Sequence, residues 1–117
     1  MLAHGQTAGV DGRTASRLRR GKLPIEATLD LHGYRQTDAH HALISFVISQ
    51  QAAGRRCVLV VTGKGSRGEN GGVLRHKVPL WLNNSPLRDK VLAFDFARPE
   101  HGGSGALYVL LRRKRDF

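Results

Sequence analysis

Between Ala27 and Arg112 the spacing of apolar positions changes repeatedly, and each change marks an element. Ala27 to Leu31, released by Pro24 into extended geometry, alternates as a strand. Ala39, Leu43, Ile44, Val47 and Ile48 then fall on one helical stripe, with Thr37 placed to cap it, Asp38 in its first turn and Gly54 beyond its end. Cys57 to Thr62 is apolar on both alternations, as expected of a strand covered on both faces. A glycine-rich loop leads into Val73, Leu74, Val78, Trp81 and Leu82, which return to helical spacing, and Pro79 is expected to kink or split that helix. Val91 to Phe96 and Ala106 to Arg112 read as two further strands, joined by the turn-rich segment Arg98 to Gly105. Upstream, Thr14 to Arg20 has room for two helical turns, with Gly21 as the stop.

The order βαβαββ predicts an α/β fold, a two-layer sandwich on a mixed four-stranded sheet. Right-handed crossovers make the first three strands parallel, and the short final loop makes the last antiparallel. Residues 1–24 read as a basic N-terminal extension, and residues 25–117 as one domain with a basic C-terminal tail. A chain of 117 residues has no room for a second core.

Composition narrows the function. Nineteen Lys and Arg against nine Asp and Glu leave a net charge of +10 and a pI near 11.1, so a polyanionic partner is the first expectation. The basic residues gather at Arg17, Arg19, Arg20 and Lys22 and again at Arg112, Arg113, Lys114 and Arg115, although a solvated charged tail would have the same composition. No apolar run approaches the roughly 20 residues of a membrane helix, and no secretory signal is readable, so a cytoplasmic address is expected. A single cysteine, Cys57, excludes an intramolecular disulfide and reads as a buried structural thiol.

In a parallel sheet, ligands bind beyond the carboxyl ends of the strands. That edge receives Asp30 and His32 from the first strand, Thr62, Gly63, Lys64 and Gly65 from the second, and the loop His101 to Gly105 after the third. Asp30 and His32, two apart, share a face: a carboxylate placed to orient an imidazole and raise its pKa, leaving the ring to move a proton. A turn-capping Asp beside a packing His is the simpler reading of the same string. Gly63, Gly65 and Gly68 match GxGxxG, with Asp89 about 20 residues beyond, but they follow the second strand and lack the second half of a dinucleotide fold. Lys64 also fails the P-loop spacing. What remains is an anion site, with loop N–H groups approaching phosphate while Lys64 and Arg67 add charge. His76 sits in the second helix between Arg75 and Lys77, where phosphate contact and plain surface fit equally well. His40 and His41 read as helix surface, Trp81 as core, and His101 as a second acid-base partner. For a metal, Asp30 and His32 with only Glu69 or Glu100 nearby make a sparse ligand set, where two-metal nucleases usually gather more carboxylates.

Taken in order, Leu29-Asp30-Leu31-His32-Gly33, Thr62-Gly63-Lys64-Gly65, Leu74-Arg75 with Trp81-Leu82, and Gly102-Gly103-Ser104-Gly105-Ala106 resemble the Smr (small MutS-related) domain over about residues 25 to 113. The resemblance implies a fold similar to the C-terminal domain of bacterial translation initiation factor three, nucleic-acid cleavage, and a stand-alone bacterial-type member. Family members nick DNA or cleave RNA, some on messenger RNA at stalled ribosomes. Thr62 departs from members with His before Gly-x-Gly, which puts the acid-base role on His32 or His101.

Two readings follow. In the first, the protein is an endonuclease, with RNA favoured over DNA: Asp30, His32, Lys64 and His101 are catalytic, Lys64 and loop amides stabilise the charged phosphorane, and no cofactor is required. Gly33, Thr62, Gly63, Gly65, Arg67, Arg75, Gly103 and Ser104 hold the nucleic acid. In the second, the same loops grip nucleic acid or a ribosome without cutting. A divalent metal enters only if the enzyme nicks DNA. Oligomeric state is not legible.

Overall fold

The computed structural model describes residues 12–64 and 70–113. Helix α1 spans Gly12–Arg19, strand β1 Thr28–Asp30, helix α2 Gln36–Ala52, strand β2 Cys57–Val61, helix α3 Asn70–Leu82, strand β3 Val91–Phe96 and strand β4 Ala106–Leu111. Two 3-10 turns, Pro99–His101 and Gly103–Gly105, join β3 to β4.

The sheet order is β1-β2-β4-β3. β1 and β2 pair in parallel, and β4 is antiparallel to both β2 and β3. The fold class and the strand directions are those expected from the sequence. β3, however, pairs with neither β1 nor β2, because β4 lies between them. β4 is accordingly buried at every residue, as befits a strand with neighbours on both sides.

On one face α2 and α3 cover Val58, Val60, Phe94, Leu107 and Val109, with Leu31, Leu43, Val47, Leu74, Val78 and Leu82 filling the layer. On the other, α1 lays Leu18 over Cys57, Leu59, Ala93, Tyr108 and Leu110, so the second face is covered too. Burying Leu18 contributes about 2 kcal/mol. The helix ends in a glycine stop: Gly21 takes φ +67, its N–H reaches the Leu18 carbonyl and the Lys22 N–H the Arg17 carbonyl, the pattern that satisfies a helix's last carbonyls.

Three local expectations differ from the structure. Arg35, not Thr37, is the N-cap of α2: its carbonyl takes the Ala39 N–H at 2.8 Å, and Thr37 lies in the first turn. The buried stripe of α2 is Ala39, Leu43 and Val47, with Ala42, Ile44 and Phe46 packed beside it, while Ile48 is exposed. α3 runs unbroken through Pro79. Proline there removes one donor, the one owed to the Arg75 carbonyl, and buried Val78 and Leu82 hold the helix on both sides of it.

At the edge away from the glycine loops, Glu26 Oε1 accepts the Arg56 N–H at 2.6 Å and the Cys57 N–H at 3.3 Å, tying the entry of β1 to that of β2. Cys57 is buried, and burial, followed by the nearby Glu26 carboxylate, pushes its thiol up to about 12. It is a neutral packing group, as expected. Among the described residues, no helix is long and apolar enough to cross a membrane.

Candidate functional site

The carboxyl ends of β1 and β2 and the start of β4 meet at one edge. Asp30 is paired in register with Val61, and Val61 with Ala106, so three adjacent chains open onto the same rim. With strands about 4.8 Å apart, Asp30 and Ala106 stand roughly 10 Å from each other across β2. The loop before β4 thus reaches the edge through β4's place beside β2, and not through any pairing of β3.

Period-two alternation works out as the sequence suggests. Leu29 and Leu31 turn into the α2/α3 core, and Asp30 and His32 turn outward. Asp30 Oδ1 accepts both the backbone N–H of His32 at 3.0 Å and its ring Nδ1 at 2.6 Å. A carboxylate can only accept, so Nδ1 carries the proton and Nε2 is left as the basic nitrogen. Partial desolvation pushes the Asp30 carboxyl up, but the His32 ring and N–H together outweigh it and hold the group below the usual carboxylate value. The pair lies open to solvent, with His32 70% and Asp30 51% exposed. Gly33, at φ +81, turns the chain from β1 toward α2, and a residue with a Cβ would be strained there.

The second and fourth motifs are bonded to each other. The Gly105 carbonyl accepts the N–H of Thr62 at 2.8 Å and of Gly63 at 3.0 Å, and the Thr62 hydroxyl lies 3.3 Å from it. Lys64 runs along the loop: a Cβ on Gly105 would come 3.0 Å from Lys64 Cγ, and one on Gly103 3.9 Å from Lys64 Cε. Gly102 at φ +117 and Gly103 at φ +56 give the loop two consecutive left-handed residues, which explains the Gly-Gly pair.

This bonding corrects two expectations. Thr62 is fully buried, so it holds the loop rather than touching a ligand. The Gly63 amide, expected to face an anion, is engaged within the protein on the Gly105 carbonyl; in the last loop the N–H groups of Gly102, Gly103 and Gly105 are likewise bonded, to the carbonyls of Pro99, Arg98 and Gly102. Among the described residues of these two loops, the exposed Lys64 side chain carries positive charge at this rim. Gly65 and Arg67 lie outside the described residues.

His101 is half-buried, and its Nδ1 meets the hydroxyl of Tyr108, edge to face with that ring. The same hydroxyl accepts the Arg98 N–H at 3.1 Å. Tyr108 packs on the α1 side of the sheet, the side to which Asp30 also points. The sequence shows Tyr108 only as a strand residue, although a buried tyrosine needs a partner for its hydroxyl, and that was the available signal. Arg75 and His76 of α3 share a cleft with Pro79, Phe96 and Ser104. Trp81 packs against the core, as expected, and also stacks on His40 with ring centroids 4.4 Å apart. Among the described residues, no three His, Cys, Asp or Glu side chains converge as metal ligands would.

The Smr domain model matches residues 29–112, which take in every one of these segments except α1. The chain is 40% identical over 103 residues to the ribosome rescue factor SmrB of Shewanella putrefaciens, covering 88% of this chain and 54% of that protein. It is 42% identical over 106 residues to the protein of the same name from Shewanella oneidensis, with the same coverage. The chain thus spans about half the length of the curated relatives it matches. Among solved structures, it resembles YdaL, a stand-alone small MutS-related protein from Escherichia coli, with TM-score 0.75 and 35% identity over 97% of this chain and 82% of that one. The Smr domain of Thermus thermophilus MutS2 aligns at TM-score 0.63 and 27% identity, covering 74% of this chain and 98% of that domain.

Proposed function

The chain belongs to the Smr domain family, and on that premise we propose that it is an endonuclease that cuts RNA by acid-base catalysis. The observation that carries the reading is the open Asp30–His32 pair, with Nε2 of His32 left basic by the 2.6 Å contact at Nδ1. In this reading His32 Nε2 takes the proton from a ribose 2'-hydroxyl, and the 2'-oxygen attacks the adjacent phosphorus. The bond to the 5'-oxygen breaks, and that oxygen takes up a proton. His101, its ring held by Tyr108, is the candidate donor. Lys64 supplies the positive charge that the phosphorane needs. The products are a 2',3'-cyclic phosphate and a 5'-hydroxyl. Because the curated relatives are named ribosome rescue factors, RNA at the ribosome, in the cytoplasm, is the substrate class this supports.

The openness of the pair also suits a module that grips nucleic acid without cutting it. Labelled RNA incubated in EDTA with wild type and with His32→Ala separates the two. The nuclease reading expects a cyclic-phosphate product from wild type alone and an intact all-deoxy substrate. Binding without cleavage would leave the gripping module. Nicking of DNA that needs magnesium would instead point to metal-dependent chemistry.

A further inference from the structure

The cleft between α3 and the Gly102–Gly105 loop has no part in the chemistry above. It is an open cleft of about 470 Å³, lined by Arg75, His76, Pro79, Phe96 and Ser104. We infer that it is a subsite for one unstacked nucleobase of the bound RNA, lying beside the nucleotide whose phosphate faces Lys64. The inference deepens the nucleic-acid reading and rests on it.

Three observations carry it. The size is within the range of small-ligand pockets, and the lining surface is chiefly apolar, with Pro79 and the half-buried Phe96, which also packs against the core, among the lining residues. A phosphate would lose its hydration against such walls, whereas a base has a π-face to lay on them. The polar lining residues are Arg75, His76 and Ser104, whose side chains are of types that hydrogen-bond or stack on a base. The position is the third observation. Ser104 follows Gly103, beside which Lys64 Cε lies, so cleft and lysine flank one short loop. A strand with its phosphate at Lys64 therefore has a neighbouring base within reach of the cleft. The net charge of +10 favours that strand electrostatically.

The test uses a single-stranded RNA oligonucleotide with one mapped cleavage bond, into which a single abasic site is introduced at each position in turn. Wild-type protein should lose roughly tenfold or more in kcat/KM at one position within two nucleotides of the cut, and little at the others. In Phe96→Leu the intact RNA should be slowed by a similar factor and the abasic penalty at that position should vanish. His76→Ala, at an exposed position, should reduce the penalty and covers the case in which Phe96→Leu fails to fold. An abasic penalty spread evenly along the RNA overturns the inference. So does a penalty reproduced by one neutral methylphosphonate linkage and lost in Arg75→Gln, which would mark a phosphate seat. Should wild type bind but not cut, 2-aminopurine at each position gives the answer: a fluorescence change at one position, absent in Phe96→Leu, supports the subsite while the nuclease reading alone fails. No position-specific change, or no binding, overturns it.

Discussion

Gly105 and Lys64 are packed so closely that a methyl group on Gly105 would stand 3.0 Å from Lys64 Cγ and 3.1 Å from its backbone nitrogen. Gly105→Ala should therefore push Lys64 off the loop, lowering cleavage about tenfold while overpacking costs about 1 kcal/mol of stability. Single-turnover cleavage and urea unfolding measure the two. If Lys64→Ala and the double variant show the same rate loss as Gly105→Ala, the effect runs through the lysine. A Gly105→Ala protein that cuts at the wild-type rate would separate loop and lysine.

Gly103 differs because its obstacle is backbone conformation rather than space. At φ +56, Gly103→Val places a β-branched residue in the left-handed region at a cost of about 1–2 kcal/mol, so stability and cleavage fall together. Gly103→Asn, which tolerates that region, should stay close to wild-type stability. Thermal unfolding of the two variants checks the order, and equal melting points would contradict it.

His32→Ala should reduce cleavage by a factor on the order of a hundred to ten thousand, yet leave RNA affinity within a few-fold. If Lys and Arg contacts to phosphate carry binding, affinity should drop steeply with salt, at the same slope in both proteins. The Asp30 carboxyl, held below its usual value, keeps its contact with His32 at all higher pH and loses it only as pH falls through that lowered value. An NMR titration of Asp30 should accordingly shift upward in His32→Ala. An unmoved midpoint would mean that the pair is not formed in solution.

His101 and Tyr108 can be tested together. If His101 protonates the leaving oxygen, His101→Ala should slow cleavage roughly a hundredfold. Tyr108→Phe, which removes the acceptor of the Arg98 N–H and the partner of His101 Nδ1, should cost about 1 kcal/mol in stability and a smaller factor in rate. A His101→Ala protein that is less stable but equally fast would make the ring a structural strut.

Cys57 should resist alkylation in the folded protein. Buried, and with its thiol pushed up to about 12, it presents no thiolate at pH 8. Iodoacetamide labelling followed by mass spectrometry should show modification only after denaturant is added. Rapid labelling of native protein would mean that the β2 end of the sheet opens locally.

What the sequence determined by itself is what a residue settles with its near neighbours. Alternation over Leu29 to His32 put Asp30 and His32 on one side, and two residues of separation brought the carboxylate to the imidazole. The apolar runs of β2 and β4 declared buried strands, and Gly21 a helix end, because period and backbone freedom are local properties. Where packing outvoted local signals, as at Thr37, Ile48 and Pro79, the pattern named the element but not its details. Tertiary structure decided what depends on partners far along the chain. Inserting β4 between β2 and β3 carried Gly105 to Thr62 and Lys64, turned the Thr62 hydroxyl and several glycine N–H groups inward, seated His101 on Tyr108 and opened the Phe96 cleft beside Arg75. Strand order is set by long-range pairing and the burial it allows, and no window of the sequence contains both members of those pairs.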